Sequence, residues 1–175
     1  MSVSKKINNC QVRLLKGDIS DMEFESFVFY AQDNLKLGAG FGNAIAMRAG
    51  LSVQKELDQI GGLGLTEAVV SKAGKLKAEY IIHANGPKFQ EEDIENKLRQ
   101  TIVKSLMKAE EAGIKQVAFP PMGTGFYGIP VDVCARVTIE AFKHYLSNGS
   151  KLEDIAIVAM DNREYDPFAE AMKEL

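Results

Sequence analysis

Phe119-Pro120-Pro121-Met122-Gly123-Thr124-Gly125-Phe126-Tyr127-Gly128-Ile129-Pro130 decides how the chain is read. Before it, Gln116-Val117-Ala118-Phe119 is an apolar run that reads as a buried strand. After it, Val133, Val137, Ala141 and Tyr145 outline a helix from near Val131 to about Leu146. A glycine-rich loop therefore joins a strand end to a helix start. Successive N–H groups in such a loop can face one concavity, and the helix N-terminus adds partial positive charge. Glycines let the main chain approach a ligand without a Cβ in the way. A phosphate or diphosphate is the natural guest, and an ordinary glycine-rich turn is the competing reading.

Working outward, a second loop of the same kind precedes it. Phe27-Val28-Phe29-Tyr30-Ala31 is a continuous apolar run, suited to a strand buried on both faces. It leads through Gln32-Asp33-Asn34 into Leu37-Gly38-Ala39-Gly40-Phe41-Gly42, followed by a helical pattern over Ala44–Ala49 that ends at Gly50. Neither loop is a dinucleotide fingerprint: Gly38 and Gly40 fit its first two glycines, but Asn43 stands where the third belongs. No G-x-x-x-x-G-K-[ST] occurs, which disfavours a P-loop nucleotidase.

The remaining segments alternate. Gln11–Leu15, Thr66–Ser71, Tyr80–Ala84 and Ile155–Met160 read as strands; Val53–Ile60, Asp93–Ala112 and Glu164–Leu175 read as helices. The first strand stops at Lys16-Gly17-Asp18-Ile19, which sets the Asp18 carboxylate at a strand end, where a turn or cap role competes with ligand contact. His83 lies in an apolar strand, and a satisfied core histidine is favoured over a catalytic one. This order predicts an α/β fold, with helices on both faces of a mixed, largely parallel central sheet. Ligands of such sheets bind at the carboxyl ends of the strands.

Bulk composition narrows the function classes. A chain of 175 residues, 46% hydrophobic and 26% charged, suits one globular domain over 1–175 with a sizeable core. The net charge of −3 gives no global field for nucleic acid, though it leaves room for a local basic groove. No apolar run approaches the roughly 18 residues of a membrane span, and the N-terminus lacks the apolar core of a signal peptide. Cys10 and Cys134 are far apart and His83 and His144 lie in different elements, so no metal site is expected, and a reduced, cytoplasmic protein is.

Taken together, Gly17-Asp18-Ile19, Leu37-Gly38-Ala39-Gly40-Phe41, Ile81-Ile82-His83 with Gly86-Pro87, and Phe119 through Pro130 resemble the macro domain family, whose members bind ADP-ribose. The resemblance runs from about Val12 to the C-terminus and implies the three-layer α/β/α macro domain fold. It also implies roles. Asp18 looks like the carboxylate that accepts from the adenine amino group, with the Ile19 backbone nearby; an ionised Asp is acceptor-only and suits that donor. Gly38, Ala39, Gly40 and Phe41 resemble the loop that holds the diphosphate and distal ribose, and Gly123, Thr124, Gly125, Phe126 and Tyr127 the second diphosphate loop. Tyr127 matches an aromatic position beside the distal ribose, and Met160 a side chain against the adenine face.

The departures bear on mechanism. Where many hydrolytic members carry Asn-Ala-Ala-Asn, this chain has Phe29-Tyr30-Ala31-Gln32, so Gln32 stands for the Asn that orients the distal ribose. Where one hydrolase class needs an Asp after the glycine loop, the chain has Gly42, which offers no base. Gln32, Asp33 and Asn34 are the candidates for a substitute catalytic role, with loop capping favoured for the latter two; Lys36 reads as a surface lysine. The leading reading is a module that binds free or protein-linked ADP-ribose, with no cofactor and neither membrane nor nucleic acid as partner. The alternative is a hydrolase of ADP-ribosylated protein, O-acetyl-ADP-ribose or ADP-ribose-1″-phosphate. A third reading is another nucleotide, or RNA, in the same cleft.

Overall fold

A computed structural model describes residues 3–38 and 40–175 of the chain. Seven strands form one sheet in the order β1-β2-β7-β6-β3-β5-β4. They are β1 Val3–Ile7, β2 Cys10–Lys16, β3 Ser26–Tyr30, β4 Ala68–Lys72, β5 Tyr80–Ala84, β6 Gln116–Phe119 and β7 Asp154–Ala159. The five inner strands run parallel, and β1 and β4 close the two edges antiparallel. The helices are α1 Gly40–Ala49, α2 Leu51–Ile60, α3 Ile94–Glu111, α4 Val131–Ser147 and α5 Asn162–Ala171.

Alternation along the strands sorts the core into two layers. Val12, Leu14, Val28, Ile82, Val117 and Ile155 point to one face, where they meet Leu98, Ile102, Val137, Phe142 and Phe168 of α3, α4 and α5. Phe27, Ile81, Ala118, Ala156 and Val158 point to the other, against Ile45, Val53 and Leu57 of α1 and α2. Each large side chain so buried contributes about 1.5–3 kcal/mol. The expected three-layer α/β/α arrangement with a mixed, largely parallel sheet is the one found.

Two elements differ from the sequence reading. β1 was not expected, because Val3-Ser4-Lys5-Lys6-Ile7 has three exposed polar residues in its middle. Such a strand belongs at an edge, where lysines discourage pairing with another chain. Helix α1 begins at Gly40 rather than near Ala44, so Gly40, Phe41 and Gly42 form its first turn instead of a preceding loop. Two glycines there cost about 1 kcal/mol each in propensity. Burial of Ile45 and Ala49 against the sheet offsets that cost.

His83 is a core residue, with no exposed surface. The Ser71 hydroxyl donates to the Lys72 carbonyl at 2.9 Å, so its oxygen accepts from His83 Nε2–H at 2.8 Å. That leaves Nδ1 unprotonated and buried without a partner. Burial alone pushes the His83 pKa down from 6.5 to about 3. The unfolded chain therefore binds a proton that the native protein does not, and stability falls as pH drops from about 6.5 toward about 3. We predict a limiting slope of about 1.4 kcal/mol per pH unit from this residue, measured by urea denaturation between pH 6 and pH 4.5. His83→Gln should flatten the slope over that range.

Candidate functional site

The residue that follows each of the five parallel strands, Gly17, Ala31, Asn85, Pro120 and Met160, lines one cleft of about 870 Å³. Size and position suit a ligand as large as a dinucleotide. Asp18, Ile19, Val158, Met160 and Glu164 form one end; Gln32, Asp33, Leu65, Lys88, Phe126 and Tyr127 are among the residues of the other.

At the first end, Asp18 is both cap and wall. Its Oδ1 accepts from the Ser20 N–H at 3.0 Å and from the Ser20 hydroxyl at 2.7 Å, and its Oδ2 lies 3.2 Å from Arg48. The Ser20 hydroxyl, with Arg48 behind it, holds the Asp18 carboxyl below the usual carboxylate range, so it stays an acceptor. Arg48 also donates to the Ser20 hydroxyl at 2.6 Å, which ties the C-terminal turn of α1 to this end of the cleft. Met160 is largely exposed, and its N–H donates to the buried Glu164 at 2.8 Å.

In the middle, two runs of backbone N–H groups have no protein acceptor among the described residues. Gly40, Phe41 and Gly42 are the first turn of α1, where N–H groups lack intrahelical partners. Gly123, Thr124, Gly125, Phe126 and Tyr127 precede α4, and among the described residues none of their N–H groups donates to a protein acceptor. The loop is shaped by Gly128 N–H to Gly125 and Ile129 N–H to Gly123, and by the Thr124 hydroxyl on Pro121. Gly123 has φ of +76°, and a Cβ on it would press into Ile129 and Tyr30. The first loop is pinned from α2: Gln54 donates to the Leu35 carbonyl and accepts from the Leu37 N–H, and Lys36 pairs with Asp58 at 2.7 Å.

The structure brings most of the anticipated residues together. Asp18, Ile19, Gln32, Asp33, Gly40, Phe41, Gly123, Thr124, Gly125, Phe126, Tyr127 and Met160 all line the cleft. Gly38 and Asn34 belong to the same loop but are not among its lining residues; the Asn34 side chain turns back to accept from Lys36 N–H at 3.0 Å, a capping role. Ala39 lies outside the described residues. Among the described residues, the Gln32 amide and the Asp33 carboxylate have no hydrogen-bond partner, and Asp33 is close enough to raise the Tyr127 pKa, after burial.

Sequence reading missed several walls. Leu63, Gly64 and Leu65 form one, and Asn85 anchors it by donating to the Leu63 carbonyl at 2.8 Å. Glycines at 61, 62 and 64 were the available signal. Tyr30, Lys88, Glu91 and Glu164 were also unremarked as cleft residues. Gly42 has a packing reason: a Cβ there would sit 3.2 Å from the Phe29 ring and 3.4 Å from the Leu37 backbone. The Phe29 ring thus lies hard against residue 42, with its centroid 6.0 Å from that of Phe41.

Comparison with known proteins agrees with this architecture. The Macro domain family model matches residues 30–138. A macro domain-containing protein of Caldanaerobacter subterraneus subsp. tengcongensis is 36% identical over 171 residues, 94% of this chain and 97% of the relative. A protein of Pantoea vagans named O-acetyl-ADP-ribose deacetylase 1 is 30% identical over 164 residues, 90% of this chain and 96% of its own length. A mutant Oceanobacillus iheyensis macrodomain with ADPR superposes with a TM-score of 0.93 at 22% identity, over 99% of this chain and 98% of that one. The chain belongs to the macro domain family.

Gly86 shows how tightly the cleft floor is packed. A Cβ on it would collide with the hydroxyl and ring of Tyr30. Gly86→Ala should therefore cost about 1–3 kcal/mol, the usual penalty of overpacking, read as a lowered urea midpoint at unchanged m.

Proposed function

We propose that this protein binds ADP-ribose, free or attached to protein, along the full length of the cleft. The observation that carries the reading is the unpaired backbone N–H groups of Gly123 to Tyr127, facing the α1 N-terminus across one cavity. A diphosphate between them would accept hydrogen bonds that need no particular side chain. Asp18 at one end supplies an acceptor for the adenine amino group, with Ile19 beside it and Met160 against the base by dispersion. Gln32 and Tyr127 flank the space for the distal ribose, and the exposed Phe41, Leu65 and Phe126 bring that end to the surface, where a modified protein would continue. The ADPR in the Oceanobacillus structure supports the ligand's identity.

Binding without turnover is the favoured form of this reading. Gly42 has no side chain, and even a Cβ there would sit 3.2 Å from the Phe29 ring. One observation keeps hydrolysis as the second reading: Asp33 is a carboxylate in the cleft near Tyr127 with no partner among the described residues, able in kind to act as a base toward water. The deacetylase name of the Pantoea relative points the same way. Both cysteines are buried and unpaired with one another, as a reducing cytoplasm would keep them, and burial pushes both thiols up to about 12. No helix among the described residues is long and apolar enough to cross a membrane. One sheet spanning Val3 to Ala159 supports reading 1–175 as one domain.

Calorimetric titration with ADP-ribose, with AMP as control, tests the reading. Asp18→Ala should weaken binding by about 1.5–3 kcal/mol, the range for a hydrogen bond to a charged group. Gly125→Glu should abolish it without unfolding the protein, because nothing lies within 4 Å of a Cβ at that position. Unchanged affinity in folded variants would remove the adenine and diphosphate assignments respectively. Incubation with mono-ADP-ribosylated protein, followed by product analysis, decides between binding and turnover. Release of ADP-ribose that Asp33→Ala abolishes would establish the second reading.

A further inference from the structure

We infer that Tyr30, which touches the cleft mainly through its floor, is a positioning residue that sets the distal end for the second ribose. The inference rests on the ADP-ribose reading above. Tyr30 ends β3 with about 9% of its surface exposed, and its hydroxyl donates to the Pro87 carbonyl. Burial, reinforced by nearby Cys134, Glu91 and Tyr127, raises its pKa, so the phenol keeps the proton it donates.

The ring joins two loops that are far apart in sequence. On one side it lies directly under Gly86, where any Cβ would collide with it. On the other it sits 3.1 Å from where a Cβ of Gly123 would be. Its centroid is 5.1 Å from that of Tyr127, at an interplanar angle of 58°. Tyr127 thus has three near neighbours: the Tyr30 ring, Phe126 at 5.6 Å between centroids, and Lys88, whose Nζ lies 5.9 Å over the ring centroid. Lys88 directly follows Pro87, the residue that Tyr30 holds by its hydroxyl. The Phe89 N–H donates to the Tyr127 carbonyl at 2.9 Å and locks the same two loops together.

One buried phenol thus fixes both walls of the distal end: the 86–89 segment through its hydroxyl and the 123–127 loop through its ring. The adenine end, after β2 and β7, lies at other strand ends, and in the diphosphate loop the ring meets only one edge, at Gly123 and Tyr127. A residue whose effect falls mainly on the second ribose should weaken ADP-ribose more than ADP, which lacks that ribose.

The test is paired titration of ADP-ribose and ADP. Tyr30→Leu keeps apolar volume but removes ring and hydroxyl; it should weaken ADP-ribose about tenfold and ADP by no more than about threefold. Tyr30→Phe, the milder variant and the one more certain to fold, should lower the same ratio by a smaller factor. In a Tyr127→Ala background, Tyr30→Leu should cause no further loss, as expected for residues that act as a unit. Equal weakening of both ligands in Tyr30→Leu, or an unchanged ratio in Tyr30→Phe, would overturn the proposal. A wild-type preference for ADP-ribose that survives both substitutions overturns it alone; a wild-type protein that binds neither nucleotide overturns the reading of the cleft as well.

Discussion

Parallel pairing of β2, β7, β6, β3 and β5 brings five strand ends to one edge of the sheet, and the cleft depends on that alignment. Residues 17, 31, 85, 120 and 160 meet there although they are spread over most of the chain. The two antiparallel strands take no part in that convergence; they close the edges of the sheet. At two of the five ends the chain turns through glycines into a helix, so the groups it offers are backbone N–H donors. An anion held this way would be recognised by main chain and would not need particular side chains.

The aromatic residues under the cleft form packed units. Phe29 and Gly42 fit each other, and the Phe29 ring also meets the edge of His83 at 6.1 Å between centroids. Tyr30 fits Gly86 and Gly123 in the same manner. Any side chain at residue 42 would start with its Cβ 3.2 Å from the Phe29 ring. The distal end is thus an aromatic floor under a cleft whose lining also carries the polar side chains of Gln32, Asp33, Lys88 and Glu91.

Most of this was legible in the sequence because apolar runs bounded by glycines are strong signals. The strands from β2 to β7 and all five helices were anticipated, most of them within two residues of their ends. β1 was hidden because Ser4, Lys5 and Lys6 carry the polarity of an edge strand, which looks like a solvated tail. The start of α1 was misplaced because glycine propensity argues against helix, while tertiary burial of Ile45 decides for it. The two glycine loops and Asp18 were visible as motifs. Tyr30, Lys88 and the Leu63–Leu65 wall were not, since their place in the cleft follows from strand order, which periodicity does not encode.

The central claim is that a diphosphate lies between the two N–H runs. Backbone amide shifts of isotopically labelled protein, followed during titration with ADP-ribose, test it most directly. The account predicts the largest changes at Gly40 to Gly42 and Gly123 to Tyr127, with a second cluster at Asp18 and Ile19. Saturable binding that shifts amides elsewhere and leaves both glycine runs unmoved would contradict it.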